Sequence, residues 1–337
     1  MTSPRLLVGG ALLLGGVAVL AIGFGSVAIA PGDVVSILAR QLFGAGEAAQ
    51  GAGATSIVME LRLPRILAAI LVGAALAVAG GAFQSLLRNP LADPYVLGTS
   101  SGAALGAAIA ILLPIGGVAW ELGGVQLAAF LGALATVGHV WRVAGIGSGE
   151  ERIASVLLVG YAVASLLAAA LSLVMLASGA NLRAIFSFLL GGLDGATWPR
   201  LAAATLPLIA ATTLLALRGR ALAGFLLGDE AAQHLGVEVR RERRIAVALA
   251  SLATAAAVAL AGLIGFVGLV VPHLVRLAVG PDPRAVLPLS AIGGALLLLL
   301  ADTIARSIGV PVGVITALIG APFLLWLLHR ARTGYAL

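Results

Sequence analysis

Long stretches of the chain are almost wholly apolar, and short segments between them carry most of the charge. These stretches lie at residues 6–30, 66–87, 95–120, 122–141, 153–182, 201–217, 245–275, 285–301 and 307–328. A helix that spans a membrane needs roughly 17–25 such residues. A membrane β-barrel would instead alternate apolar and polar residues over segments of about ten positions, and no stretch does so. The pattern predicts an all-α polytopic membrane protein.

The stretch at residues 245–275 is too long for one span. As a single helix it would measure about 46 Å at 1.5 Å per residue, against a hydrocarbon core of about 30 Å. Glycine and proline supply natural break points in it, at Gly262, Gly265, Gly268 and Pro272. A break near Gly262 gives ten spans, one of them short. The segment 184–193 is too short to cross and is predicted to be a re-entrant or surface helix.

The distribution of arginine supports ten spans with both termini in the cytoplasm. This topology places every arginine on the inner side except Arg40, Arg62, Arg65, Arg183, Arg200 and Arg306. An excess of basic residues inside is the usual rule. With nine spans, the last inner arginines would move outside. We therefore expect a single transmembrane domain over residues 1–337, with its longest charged cytoplasmic loop at residues 218–244.

The amino-acid composition excludes several classes of function. The chain is 61% hydrophobic and 10% charged, with a mean hydropathy of +1.13, whereas soluble domains carry about 25% charged residues. There is no cysteine, and all 20 basic residues are arginine. A phosphate-binding P-loop requires lysine, so another chain must hydrolyse any ATP that is used. The four histidines lack the spacing of metal ligands, so no metal site is expected. The net charge of +6 does not indicate nucleic-acid binding.

The loop at residues 226–244 combines charge with a short helical pattern. Asp229 and Glu230 follow Gly228, as at a helix N-terminus, and Gly236 is a plausible stop. Apolar positions recur every four residues, at Leu227, Ala231 and Leu235. Isolated helices below about 12 residues are marginal in water, so something must hold this one. It either rests on its own spans and lipid headgroups or docks into a cytoplasmic partner.

Several blocks of the sequence are similar to one known family. They are "LRLPRILAAILVGAALAVAGGAFQSLLRNPLADPYVLGTSSGAALGA", "GDEAAQHLGV", "GLIGFVGLVVPHLVRL", "LLLADTIAR" and "PVGVITALIGAPFLLWLL". In this order, from residue 61 to residue 328, they resemble the permease subunits of type II ABC importers. That family takes up ferric siderophores, haem and cobalamin. The resemblance implies the type II ABC importer permease fold, with ten spans.

The resemblance also implies partners and a location. It implies a homodimer with a central pathway in the bacterial inner membrane, two cytoplasmic ATPase subunits, and a periplasmic substrate-binding protein. ATP and Mg²⁺ would bind to the ATPase subunits, and this chain would hold no cofactor. The expected cargo is an iron chelate, either haem or a ferric siderophore, with cobalamin as the alternative.

The family motifs assign roles to particular residues. ATPase coupling is implied for Gly228, Asp229, Glu230, Ala231, Ala232, Leu235, Gly236 and Val237. Docking of the binding protein is implied for Arg62, Arg65 and Arg306, although boundary arginines usually only keep their charged ends in water. The segment at residues 307–310 is shorter than in the family, which shortens the outer rim beside Arg306.

Two further sets follow from the resemblance. Asn89 and Leu91, in "RNPLADP", match a cytoplasmic gate, although the motif on local grounds is only a turn. The loop "IGSGEERIA" would face them. In the fifth span, the translocation path is implied for Ser165, Ser172 and Met175, with Arg183 just beyond, where it could meet an anionic ligand. Small residues also favour helix packing, which is the better explanation for Gly98, Gly102 and Gly106.

Two other classes of protein remain in view. A secondary transporter usually carries ionisable residues within the membrane for ion coupling, but here the carboxylates cluster at loops and span ends. An intramembrane enzyme would need a catalytic motif such as HExxH or GxSxG, and neither occurs. The pattern favours a permease that another chain powers.

Overall fold

The computed structural model describes residues 4–25, 27–44, 52–113, 118–144 and 150–332. The α-helices are α1 (Pro4–Gly23), α2 (Pro31–Phe43), α3 (Ala52–Ser56), α4 (Leu63–Leu86), α5 (Thr99–Leu112), α6 (Val118–Ala144), α7 (Glu150–Leu176), α8 (Leu182–Leu189), α9 (Trp198–Leu217), α10 (Gly219–Leu226), α11 (Asp229–His234), α12 (Val239–Ala261), α13 (Val267–Val279), α14 (Pro283–Ile308) and α15 (Val312–Arg332). A π-helical segment at Ile57–Arg62 continues α3 into α4, and short 3₁₀ helices at Pro94–Leu97 and Gly179–Asn181 precede α5 and α8.

The helices match the predicted membrane-spanning segments. Within the described part of the chain, eight helices are long and apolar enough to cross a bilayer, and α5 and α13 are shorter apolar helices. Together they occupy the ten segments expected from the sequence. The all-α fold of a polytopic membrane protein is confirmed. Helix α5 begins within the bundle, because a methyl group added at Gly98, just before α5, would lie 3.5 Å from the carbonyl oxygen of Gly160, ten residues into α7.

The predicted break in the seventh apolar stretch is confirmed. Helix α12 ends at Ala261, Gly262 takes a left-handed φ of +66°, and α13 begins at Val267. Non-helical backbone at membrane depth must find hydrogen bonds within the protein. The segment after α8 supplies them, because Gly192 N–H donates to Ala261 O at 2.8 Å and Leu263 N–H donates to Phe188 O at 3.3 Å. The short helix expected near residues 184–193 is α8.

Glycines let the helices approach closely around α4. A methyl group added at Gly80 would lie 1.8 Å from the carbonyl oxygen of Gly268 in α13, and one at Gly73 would lie 2.2 Å from that of Gly294 in α14. Helix α4 is the most buried span, with 78% of its apolar window covered. The packing interpretation also holds for Gly102, which lies against α6, with Gly132 O 2.4 Å from an added methyl group.

Helix α2 was not predicted, although the sequence carries signals for it. Pro31 occupies its first turn, Asp33 follows, and Gly44 ends it with φ +67°. The two ends of the bundle differ in chemistry. We call the end that carries α10 and α11 the loop end, and the end that carries Arg65 the rim end. Helix α4 joins them, because the 21 positions from Arg65 to Leu86 span about 32 Å.

Candidate functional site

At the rim end, Arg62 caps the C-terminus of α1 by hydrogen bonding to its carbonyl oxygens. Its side chain is 6% exposed. Nη1 donates to Ile22 O at 2.6 Å and to Gly23 O at 3.2 Å, and Nη2 donates to Val27 O at 2.5 Å. The last carbonyls of a helix have no partners within the helix. Arg62 therefore satisfies carbonyls at the C-terminus of α1 and in the connection that follows.

Arg65 and Arg306 share one buried carboxylate, Asp302, whose side chain is 0% exposed. Arg65 Nε lies 3.0 Å from both carboxylate oxygens and Nη2 lies 2.7 Å from Oδ1. Arg306 Nε lies 3.2 Å from Oδ2. Arg65 Nη1 also contacts Asp194, which is 79% exposed. Two guanidinium groups thus enclose one carboxylate, and a second carboxylate faces outward.

Arg62, Arg65, Arg306 and Asp194 line a cleft of about 750 Å³ that also includes Arg183 and Ser187. The three arginines assigned to docking therefore do lie together, and their role in docking stays a prediction. The sequence did not reveal Asp194 as a partner, because it lies 129 positions from Arg65. A carboxylate-bearing partner would find positive charge here, since charged forks suit carboxylates.

At the loop end, α10 and α11 form the expected short-helix segment. Gly228 and Gly236 bound α11 with left-handed φ values of +102° and +80°, and Ala232 is fully buried. Leu227 and Leu235 are 66% and 65% exposed. Ala232 therefore holds α11 against the bundle, and the leucines that flank this helix, Leu227 and Leu235, are exposed beside a groove of about 660 Å³.

Ion pairs hold the first residue of α11. Asp229 Oδ1 lies 2.7 Å from Arg243 Nη2 in α12 and 3.9 Å from Arg88 Nη2 in the turn after α4. The Arg243 guanidinium also lies 5.4 Å above the ring of Phe225 in α10. One carboxylate therefore connects three parts of the chain at the loop end.

The turn after α4 holds the candidate gate residues. Asn89 Oδ1 accepts from Leu91 N–H at 2.9 Å, as in an Asx turn. The Asn89 N–H donates to Gln84 O, and Gln84 Nε2 donates to Ala92 O at 3.2 Å. Asn89 is exposed and Leu91 is half-buried. Residues 145–149, in the loop assigned opposite the gate, lie outside the described residues.

Asp93 ends this turn and starts the 3₁₀ helix before α5. Its carboxylate accepts from Tyr95 N–H at 2.9 Å. Burial raises the pKa of Asp93 to about 6, because loss of water disfavours the charged form, and the hydrogen bond from Tyr95 opposes this only in part.

Helix α7 carries the candidate path residues. Only 6% of its apolar window is buried, the least of the eight long spans. Ser165 and Ser172 are exposed, Met175 is half-buried, and Arg183 is exposed beyond the helix. The Ser172 hydroxyl donates to Ala168 O at 3.0 Å within its own helix. One face of α7 is therefore left uncovered by the rest of the chain and is free to contact lipid, a second chain or a translocation pathway.

A bundle of ten apolar segments, with an arginine-lined cleft at one end and a loop of short helices at the other, defines a multi-pass membrane permease. Comparison with known protein families identifies the family of this permease: residues 12–330 match the model of the FecCD transport family. The chain belongs to this family and is an ABC importer permease.

Relatives and a solved structure agree with this assignment. The chain is 46% identical to the cobalamin import system permease protein BtuC of Halobacterium salinarum, over 89% of this chain and 79% of that one. It is 39% identical to the hemin transport system permease protein HmuU of Yersinia pestis, over 82% and 84%. A metal-chelate type ABC transporter solved in an inward-facing conformation matches 97% of this chain and 100% of its own, with 30% identity and a TM-score of 0.84.

Proposed function

We propose that this permease imports a bulky metal chelate, powered by two cytoplasmic ATPase subunits and supplied by a periplasmic binding protein. The loop end faces the cytoplasm, as do both termini, and the rim end faces the periplasm of a bacterial inner membrane. Two copies form a homodimer around a central path. This chain holds no cofactor of its own, and ATP and Mg²⁺ bind to the ATPase subunits.

The observation that carries the proposal is the exposed leucine face of the loop end. Leu227 and Leu235 are about two-thirds exposed on a segment that Ala232 anchors to the bundle. Exposed apolar side chains at a rigid, anchored position suit docking into a partner. Because the chain contains no lysine, it cannot form a P-loop. In this proposal a partner chain hydrolyses the ATP and acts on the permease through the coupling segment, Gly228–Val237.

The homodimer and its path are argued from α7. A helix that is apolar and buried over only 6% of its window within its own chain has an open face for a second copy. Ser165, Ser172 and Met175 give that face small or flexible side chains of weak polarity. Such a surface lets a large ligand pass without fixing it. Alternating access follows if ATP binding moves α11 and this movement closes the path at one end while opening it at the other.

At the rim end, the binding protein docks through its carboxylates. Arg65 and Arg306 already hold one buried carboxylate, and Arg65 reaches the surface beside the exposed Asp194. Arg62 lines the same cleft, but its carbonyl contacts at α1 occupy most of its donors. Its part in docking is to fix the shape of the cleft. Docking of this kind weakens as salt rises.

The cargo is an iron chelate, either haem or a ferric siderophore, and Arg183 in the rim cleft suits the carboxylates that such ligands carry. The similarity to a hemin permease supports this class. Cobalamin is the second candidate, because the 46% identical relative bears the name of a cobalamin permease. These cargoes share large size and a chelated metal.

The test is reconstitution in proteoliposomes with the cognate ATPase and binding protein. Haem, a ferric siderophore and cobalamin are each offered, with and without ATP inside the vesicles. We expect ATP-dependent accumulation of one of them, and none when an inactive ATPase is used. Accumulation that needs only an ion gradient and persists without the ATPase would identify a secondary transporter and refute the proposal.

A further inference from the structure

The candidate gate turn and the coupling segment meet at a single carboxylate. Asp229, the first residue of α11, lies between Arg243 Nη2 at 2.7 Å and Arg88 Nη2 at 3.9 Å. Asp229 and Arg243 are largely shielded, with side-chain exposures of 17% and 11%, and the side chain of Arg88 is 30% exposed. Ion pairs that are partly withdrawn from water are screened less by salt than fully exposed pairs. The chain thus contains a charged contact between the candidate coupling segment and the candidate gate turn.

The backbone at Arg88 indicates that its side chain is needed. Arg88 has φ +48°, a left-handed conformation in which glycine is the ordinary residue. Glycine would fit without strain, yet this position holds a long charged side chain whose guanidinium reaches Asp229. A methyl group added at Gly228 would lie 3.9 Å from Arg88 Nη1, so the guanidinium lies against the start of α11 as well as against its carboxylate.

The turn that follows Arg88 is held together by its own hydrogen bonds. Asn89 and Leu91 are joined by a side-chain hydrogen bond of 2.9 Å, and Ala92 N–H donates to Asn89 O at 3.1 Å. A displacement of Arg88 therefore displaces both candidate gate residues.

The other side of the turn is tied to α13 through Gln84. Pro272 has no N–H, so the carbonyl of Gly268, four residues earlier, lacks its usual helical donor. Gln84 Nε2 approaches that carbonyl at 3.2 Å, Leu269 O at 3.3 Å and Ala92 O at 3.2 Å. Arg276 Nη2 contacts Gln84 Oε1. The turn therefore has a fixed inner attachment at Gln84 and an outer attachment at Arg88.

We propose that Asp229 transmits the movement of the coupling segment to the gate turn of the same chain through Arg88, while Arg243 keeps α11 attached to α12. Asp229 and Arg88 are positioning residues, because neither needs to touch the cargo. This inference rests on the proposed function. It adds a specific route within the chain, from α11 through Arg88 to Asn89 and Leu91.

The test compares Asp229→Asn, Arg88→Gly and the double variant in the complete complex. Each is made on a Leu91→Cys background, where the introduced thiol is the only one in this chain, and labelling is read on this chain after the subunits are separated. Thiol labelling with and without ATP reports the gate turn, and cargo moved per ATP hydrolysed reports coupling. Arg88→Gly removes the guanidinium while suiting the left-handed backbone, so a coupling role predicts unchanged or improved thermal stability with lost coupling, whereas a merely structural role predicts lowered stability.

We expect either single variant to lose the ATP-dependent change in labelling and to lower cargo moved per ATP by roughly fivefold or more. The double variant should be no worse than Asp229→Asn alone, because that variant already removes the contact with Arg88 together with the one to Arg243. Asp282→Asn is the matched control. It is the same carboxylate-to-amide change in another turn at the loop end, where Asp282 caps α14 and pairs with Arg284, and it should leave both readouts unchanged.

Two results would overturn the link. One is normal ATP-dependent labelling of Leu91→Cys in the Asp229→Asn variant. The other is a double variant whose loss is the product of the two single losses, since that would show independent roles. If the unmodified complex shows no ATP-dependent uptake, the proposed function fails and the link fails with it. Normal uptake by the unmodified complex and by both variants would remove the link alone.

Discussion

The rim cluster supports one quantitative prediction, because Arg65 holds two carboxylates of opposite exposure. Asp302 is 0% exposed and Asp194 is 79% exposed. The same alanine substitution at each position should therefore have very different costs. The comparison needs no assumption about partners or cargo.

Asp302→Ala removes the acceptor of three contacts from Arg65 and the ion-pair partner of Arg306. Two guanidinium groups that are 14% and 10% exposed would lose their carboxylate. Removing one member of a buried ion pair costs about 3–5 kcal/mol. We expect the lower end, about 3 kcal/mol, because Arg306 Nη2 keeps the carbonyl of Ala21 at 3.1 Å and Arg65 keeps Asp194. Asp194→Ala should cost about 0–1 kcal/mol, as for exposed pairs.

The assay is thermal unfolding of the purified permease in one detergent at low salt. At roughly 2 °C per kcal/mol for a chain of this size, Asp302→Ala should lower Tm by about 6 °C, and Asp194→Ala by at most about 2 °C. Equal shifts for the two variants would refute the reasoning, because the difference follows only from burial. A Tm unchanged by Asp302→Ala would show that the two arginines regain water once the carboxylate is gone.

Three further predictions follow from other parts of the fold. Gly80→Val should abolish recovery of folded protein in size-exclusion chromatography, because even a methyl group there would lie 1.8 Å from Gly268 O, whereas Gly9→Val, with nothing within 4 Å, should be tolerated. Asp93→Asn should flatten the pH dependence of Tm, because the raised pKa of Asp93, about 6, gives a stabilising contribution that is complete below about pH 4 and is lost as pH rises through about 6. The variant should therefore have a higher Tm than the wild type at pH 7, and a Tm difference that is equal at all pH values would contradict this explanation. Leu235→Asp should release the ATPase subunit in co-purification while membrane insertion persists, and normal co-purification would contradict docking through the leucine face.

The sequence by itself determined the class, the span count and the break points. Apolar length is a local property, and so are the effects of glycine and proline on a helix. The break at Gly262 and the limits of α11 at Gly228 and Gly236 could therefore be read from neighbouring residues. The family motifs similarly placed the candidate gate and coupling residues. Helix α2 was also within reach, since Pro31, Asp33 and Gly44 are standard boundary signals, but it was missed.

Only the tertiary structure decided which charges meet. Asp302 lies 237 positions from Arg65, and Gln84 lies 184 positions from the carbonyl that it satisfies at Gly268. The pattern of apolar and polar residues along the chain does not reveal such pairs, because the packing of α4 against α13 and α14 brings them together. The same holds for Arg88 and Asp229, whose separate motifs gave no sign of contact. The sequence specified which segments cross the membrane, and the folded bundle specified how the two ends of α4 connect to the rest of the chain.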